Sequence, residues 1–582
     1  MMERNTHSTD AGTRDEQPHS RDDRPLSDRV AETPRPAAVW ALGAAVLLAV
    51  ELGDIADAVL SLGGMAVGAV AFGYSGTLSL VSADGPVGLL ALAGFGFGLF
   101  VAGLGVATWT RVRAVHRVTD RFAFRTRQVL DGVVFGAAIA VATWLAVTLG
   151  VVDGLAAAGG AVQSLLGAVA DLPTLTARET IPNQGYQTPD GTWHGTFMGL
   201  APAYAWALRV VVVYVYTAVA LAWVWVGYLW YRAHYRRVDW TPRDDVVRRL
   251  RSHRWGQFGM VVTFLFLTMA VFAPSLATTS AQQNLYEPFS HSIQYYDADT
   301  DSVRETLVGT ANLQTQSEGY AEANFGPMSY DQYDRFHPAG TLTNGKDLWT
   351  FLAYGARVSL VIGLLSIGVS AVLATVFSLF SAYYRGLIDL VLVVVGDTIM
   401  GVPRLLMLIL LTVILSDTWV AGLYNGGILL ALILAGTGWP FLWRSFRGPT
   451  LQIAEEEWVD AARSYGQSAT GIMRLHMLPY LVGYLLIYSS LILGGVILAV
   501  AGLSFLGFGI TAPTPEWGRA VNLGREYVAS ASWHISLIPG IMITLVVMGF
   551  NAMGDALRDA VDPKSDDGVA SSTEADARGG GA

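Results

Sequence analysis

The sequence predicts an all-α, polytopic helical membrane protein with about ten transmembrane helices. Three observations predict it. Of 582 residues, 52% are hydrophobic and only 14% charged, with mean hydropathy +0.42, which is too apolar for a soluble multidomain protein. Apolar runs of roughly 20 residues, enough to cross a hydrocarbon core about 30 Å thick, recur along most of the chain. Arginine clusters fall in alternate connecting segments, as the positive-inside rule requires of cytoplasmic loops.

Composition also excludes chemistry. There is no cysteine, hence no disulfide, thiolate zinc site or cysteine nucleophile. The histidines form no HExxH pair, and neither Lys346 nor Lys564 stands in a GxxxxGK[ST] loop. No cofactor or metal is expected, and the chain is not expected to be an enzyme. The net charge of -10, with arginine in place of lysine, resembles adaptation to high salt; a GC-rich genome explains the arginines equally well. Without a basic domain, no nucleic-acid partner is expected.

Residues 1–36 are polar and proline-containing, and read as a disordered cytoplasmic tail without a signal-peptide pattern. Residues 37–254 read as an N-terminal extension with about four spans. The first, 37–60, carries Glu51, Asp54 and Asp57 on one helical face. Either they form an intramembrane ion or proton site, or the helix ends near Leu52 and the acids sit at the outer surface; the second reading is preferred. Residues 59–72 then lie along the interface or extend a tilted helix. The second span, 87–109, contains a close-packing GFGFG run and precedes six arginines between Arg111 and Arg127. The third is 133–152. The fourth, 203–231, has Trp206, Trp223, Trp225 and Trp230 as belt or packing residues, and Arg209 placed to snorkel at its outer end. The arginines from Arg232 to Arg254 mark the cytoplasm again, or contact anionic membrane lipid.

Residues 255–346 hold the fifth span, 256–276, and an external acidic loop that is either a docking surface or simply solvated. Residues 347–564 hold spans at 353–383, 387–415, 426–446, 481–505 and 535–553, and residues 565–582 a second disordered tail. Asp397 and Pro403 interrupt the seventh span. A proline kinks a membrane helix, and a buried acid there is expected to face other helices or a wet path.

The polar stretch at 455–479, EEEWVDAARSYGQSATGIMRLHMLP, separates two spans. Its acids suit a helix N-terminus, Ala461 and Ala462 suit close entry into a groove, and Gly466 suits the turn that ends a short helix. Asp460-Ala461-Ala462, then Gly466, then Leu478-Pro479 resemble the EAA motif of ABC importer permeases. Three further runs resemble the dipeptide/oligopeptide (nickel) permeases of the C type: HPAGTLTNGKDLWTFLAYGARVSL from His337, AGLSFLGFGITAPTPEWG from Ala501, and FNAMGDALRDAVDPK from Phe550. Asp460 replaces the usual Glu, Lys346 the usual Arg, and His476-Met477 the usual branched aliphatics.

The resemblance implies a type I importer permease core in the C-terminal half, with a coupling helix at about 452–479. Glu457, Asp460, Ala461, Ala462, Gly466, Leu478 and Pro479 would then meet the ABC ATPase subunits. It further implies a second homologous permease subunit and an extracellular solute-binding protein, at the plasma membrane with both termini cytoplasmic. Asp397, Pro403, Gly507, Gly509, Pro513 and Pro515 are candidate pore or gate residues; for the last four the plain alternative is a rigid turn. Arg357 is expected to be an interface anchor. Asp555 and Arg558 are expected to pair within their helix or to contact the ATPase. The first 254 residues match no part of the family pattern and are expected to be peripheral. The alternative function is a secondary, ion-coupled transporter using Glu51, Asp54, Asp57 or Asp397. The substrate is not legible.

Overall fold

Twelve helices carry the architecture of the computed structural model, which describes residues 25–60, 164, 167–170, 172–236 and 241–561. They are α1 (Pro34–Val50), α2 (Pro202–Trp230), α3 (Pro242–Ser252), α4 (Arg254–Val271), α5 (Leu348–Tyr384), α6 (Gly386–Gly401), α7 (Arg404–Ile414), α8 (Gly427–Ala454), α9 (Glu457–Ser464), α10 (Leu478–Phe505), α11 (Trp517–Gly524) and α12 (His534–Val561). Among the described residues, 6 helices are long and apolar enough to cross a membrane, or up to 8 if each bent pair is one span. They coincide with eight of the expected spans. The expected spans at 87–109 and 133–152, the GFGFG run, the first arginine cluster and the tail at 565–582 lie outside the described residues.

Two expectations need correction. Residues Leu26–Glu32, expected to lie in a disordered tail, are helical; Arg29 and Tyr235 tie this helix to the end of the α2 span. The interrupted seventh span is not one kinked helix but two helices bent by 91°. Pro403 is the N-cap of α7, and Val402 before it is extended, the conformation that a following proline imposes.

Small residues set the closest helix contacts. A Cβ on Gly259 of α4 would lie 2.5 Å from the Met553 amide nitrogen and 2.6 Å from the Gly549 carbonyl of α12. Gly256 faces Ala556 in the same seam. Such seams let backbones approach and gain dispersion contacts that apolar lipid would otherwise supply. Around them α5, α8 and α10 bury Phe351, Leu352, Leu430 and Val500.

The loop after α4 folds back as a cap over the start of α5. It contains a hairpin of β1 (Ser292–Asp297) and β2 (Ser302–Leu307). Asp347 is the N-cap of α5, accepting from the Thr350 amide at 2.7 Å. The same carboxylate accepts from Thr278 Oγ1 at 2.7 Å and lies 3.0 Å from His337 Nδ1. His337 Nε2 lies 3.3 Å from Asp331 Oδ2, and Asp331 also accepts from Arg335 Nε at 2.6 Å. Both ring nitrogens of His337 therefore face carboxylates, which calls for an imidazolium donating twice. The segment 277–346 is thus anchored structure, not merely a solvated loop.

The described part of the extension packs against the core. Arg209 does not snorkel: it is fully buried, donating from Nε to Ser275 O (2.6 Å), from Nη1 to Ile181 O (2.8 Å) and from Nη2 to Ala277 O (2.6 Å). Arg357 of α5 donates to the Ala270 and Val271 carbonyls at the end of α4, and its Nη1 meets Asp57 at 2.6 Å. Glu51 and Asp54 are buried rather than at the surface, because Thr176, Thr174 and Ser275 supply hydrogen bonds to them. Helix α1 does end at Val50, near Leu52 as expected. Trp206 packs on Phe336 and Trp349, joining extension to cap.

Two predictions follow from this packing. Gly259→Leu forces α4 from α12 and lowers detergent-state stability by about 1–3 kcal/mol, measured by thermal unfolding of the purified chain. The second concerns pH. Burial pulls the His337 imidazole down, but Asp331 and Asp347 outweigh it and leave it raised. Burial opposes ionisation of Asp331, yet His337 and Arg335 hold it down at about 2. His337 thus stabilises the cap fully below its ordinary value of 6.5, and that contribution is lost as pH rises through its higher folded value. The Asp331 contribution is present above its ordinary 3.8 and fades as pH falls toward about 2. Melting temperature against pH is expected to fall on the alkaline side, and His337→Asn to flatten that limb.

Candidate coupling surface and transport path

Helix α9 is short and two-faced. Glu456 is its N-cap, Glu457 and Asp460 lie in its first turn, and Arg463 in its last, the polarity that the helix dipole favours. Gly466 has φ +74 and follows the helix end; a Cβ there would meet nothing within 4 Å. Substitution at Gly466 therefore strains the backbone rather than the packing. The chain then re-enters the bundle through a Ser468-capped turn, and Pro479 stands in the first turn of α10. Gln467 and His476 close this return with a 2.9 Å hydrogen bond, and Trp458 stacks on Tyr480.

The coupling candidates divide between two faces. Val459 and Ala462 point inward, into a cluster with Ala382, Ala454, Ile472, Met473 and Met477. Glu457, Asp460, Ala461 and Gly466 are exposed, as is Pro479; Leu478 is half-buried. Ala462 therefore seats α9 on its own chain, a correction to its expected place in a partner's groove. Its i+3 spacing from Val459 was the signal in the sequence that marked the inward face. The charged rim adds residues that sequence reasoning missed. Arg385 pairs with Glu455 at 3.1 Å, Arg463 with Asp460 at 3.1 Å, and Arg463 lies over the Tyr383 ring. Behind them Arg447 makes two hydrogen bonds to Asp389 at 2.9 and 2.6 Å. Partners 58 residues apart in sequence leave no local pattern to read.

The pore or gate candidates do not converge on one point. Asp397 is half exposed and paired with Arg444 of α8 at 2.6 Å, so it is neutralised at the surface of the single chain and not buried. Pro403 sits at the break between α6 and α7. Beside it, α7 and α8 line an apolar groove of about 460 Å³ with Met407, Leu411, Leu429, Ile433 and Thr437. Gly507, at φ +84, ends α10, and a Cβ on Gly509 would lie 2.2 Å from Ser504 Oγ. Pro513 is exposed, whereas Pro515 is buried.

The run after α10 is pinned at both ends. The Thr511 amide donates to Asn425 O at 3.1 Å, and Trp517 Nε1 donates to Leu352 O at 2.8 Å. Gly355 makes room for the Trp517 ring, since a Cβ there would lie 2.7 Å from Trp517 Cδ1. Gly518 lets α11 close on the Ala501 carbonyl, 1.9 Å from where a Cβ would stand. At the far end of α12, Asp559, not Asp555, meets His253, whose Nε2 lies 3.4 Å away.

Comparison with known proteins agrees with this geometry. Residues 374–567 match the binding-protein-dependent transport system inner membrane component, and residues 241–292 the N-terminal transmembrane domain of oligopeptide transport permease C. A dipeptide transport system permease protein of Alkalihalophilus pseudofirmus is 30% identical over 329 residues, 56% of this chain and 90% of that protein. A putative peptide transport system permease protein of Brucella suis is 39% identical over 228 residues, 39% of this chain and 74% of that protein. A glutathione transport system permease protein of Escherichia coli is 28% identical over 324 residues, 56% of this chain and 91% of that protein. The two faces of α9 predict opposite outcomes. Val459→Asp buries an unpaired charge and costs on the order of 3 kcal/mol, whereas Ala461→Glu leaves the melting temperature of the isolated chain unchanged.

Proposed function

The chain belongs to the family of binding-protein-dependent ABC importer permeases, and from that premise we propose that it carries peptides or related small solutes. As a permease subunit it spans the membrane and works with ATPase and substrate-binding partners. Two observations support a peptide-like cargo: the relatives are named for dipeptides, peptides and glutathione, and the motif runs stand in the same order here. The ion-coupled alternative finds no support. Asp57 and Asp397 are spent on arginines, and Glu51 and Asp54 on threonine and serine hydroxyls.

The mechanism rests on α9. Its outward face, with Glu457, Asp460, Ala461 and Gly466, seats in a groove of the ATPase subunit. Its inward face passes that subunit's movement on. Val459 and Ala462 are packed against residues of α5, α8 and the segment that leads into α10, and a close-packed interior transmits displacement with little compression. Closure of the ATPases thus moves the lower ends of three spans together. The upper ends are held by the cap, so the spans pivot and expose the path alternately to either side. The apolar groove between α7 and α8 supplies one half of that path, and a second, homologous permease subunit supplies the other. The arginine-rich ends of α2, α3 and α8 face the cytoplasm with both termini, and the cap faces outward to receive the solute-binding protein.

The test uses the complex in proteoliposomes. Uptake is expected to persist with an ionophore and to stop without ATP. Ala461→Trp is expected to reduce ATPase co-purification at least about tenfold while the permease still folds. Retained ATPase binding and uptake in Ala461→Trp would refute α9 as the docking helix. A ligand of another class, identified in the purified binding protein, would refute the peptide reading alone.

A further inference from the structure

Two buried acids of the extension, Glu51 and Asp54, share a single hydroxyl. Glu51 follows the last residue of α1, beyond that span, and residues 52–60 resume a helix. Thr176 Oγ1 lies 2.7 Å from Glu51 Oε2 and 2.8 Å from Asp54 Oδ2. A hydroxyl has one proton to donate. The Thr176 amide is already used on Glu51 Oε1 at 3.1 Å, and Ser275 Oγ donates to Asp54 Oδ2 at 2.6 Å. With both acids ionised, one of the two short contacts at Thr176 would set lone pair against lone pair. The chain closes when Glu51 is protonated: its O–H donates to Thr176 Oγ1, which donates to Asp54.

Among the described residues, the neighbouring arginines are already committed elsewhere. Arg209 spends its donors on three carbonyls, and Arg357 on two carbonyls and Asp57. Arg178 and Glu179 follow Thr176 in its loop with opposite charges, and Tyr216 of α2 spends its hydroxyl on the Leu47 carbonyl at 2.9 Å. Burial, with the Asp54 charge adding to it against the bonds from Thr176, pushes Glu51 up to about 7.

We propose that the Glu51–Thr176–Asp54 bridge is a proton-held latch that closes the extension on itself, holds Asp54 against Ser275 just beyond α4, and loosens when the proton leaves. Asp57 carries the release onward. It lies on the same helical segment and neutralises Arg357, the arginine of α5 that caps the carbonyls of α4. The matched family regions begin at residue 241, so the latch belongs to the extension and adds a pH response to the transport core. A raised carboxyl stabilises the joint fully below its ordinary value of 4.5, and that support is lost as pH rises through about 7.

The chain has no cysteine, so a single introduced thiol reports cleanly. Val59, on the exposed side of the 52–60 helix, is replaced by cysteine in the full chain, labelled with a nitroxide and placed in nanodiscs, where both faces meet one buffer. The label is expected to be immobilised at acid pH and mobile at alkaline pH, with the midpoint near 7. Glu51→Gln keeps a neutral donor in place and is expected to abolish the transition, leaving the label immobile throughout. Should that variant misfold, Asp54→Asn removes the second charge and is expected to move the midpoint by about one pH unit or more. Thr176→Val is expected to free the label at every pH. A wild-type spectrum constant across this range, or a transition that survives in Glu51→Gln, would overturn the latch. None of these outcomes depends on what the permease carries.

Discussion

The carboxylate of Asp347 is the point on which the rest of the molecule rests. It caps the longest helix, binds Thr278 just beyond α4, and faces a histidine held from the other side by Asp331. Removing one charge from such a buried network strands the others in low dielectric, which costs more than the network gains in being whole. The cap, the start of α5 and the end of α4 are therefore fixed relative to one another. Because α5 also packs on α8 and α10, and α11 docks Trp517 against its Leu352 carbonyl, this one cap sets the frame for the core.

The opposite end of the same helices is held by contacts of another kind. There the contacts are a compact apolar cluster under α9 and a rim of exposed ion pairs such as Arg385–Glu455 and Arg463–Asp460. Exposed pairs contribute little and rearrange easily. The cluster is buried and apolar, and close-packed interiors of that kind transmit displacement with little compression. A stiff cap at one end and a shiftable, well-seated helix at the other are the physical requirements for spans that pivot.

The extension shows how far local sequence reasoning reaches. Its apolar runs, its arginines and the end of α1 were legible, since each depends on residues close in the chain. Its relation to the core was not. Arg209 reads as a residue near a helix end, and only the fold brings three carbonyls to it from residues 181, 275 and 277. Glu51 and Asp54 read as surface acids because burying them looks costly; hydroxyls from Thr176 and Ser275 remove most of that cost. Asp57 and Arg357 meet across 300 positions of sequence.

By itself the sequence determined the class, the eight spans seen among the described residues, a short polar helix ahead of Gly466 and the family, because hydrophobic length, arginine bias and motif spacing are local or ordered along the chain. Only the tertiary structure decided which side of α9 is free, turning Ala462 inward and leaving Ala461 out, because both alanines are equally small and burial depends on what the helix lies against. It alone decided why the motif residues are what they are: Gly355 for the Trp517 ring, Gly518 for the Ala501 carbonyl, His337 for two carboxylates. And it alone joined the extension to the core, because hydrogen-bond partners distant in sequence become neighbours only when the helices have packed.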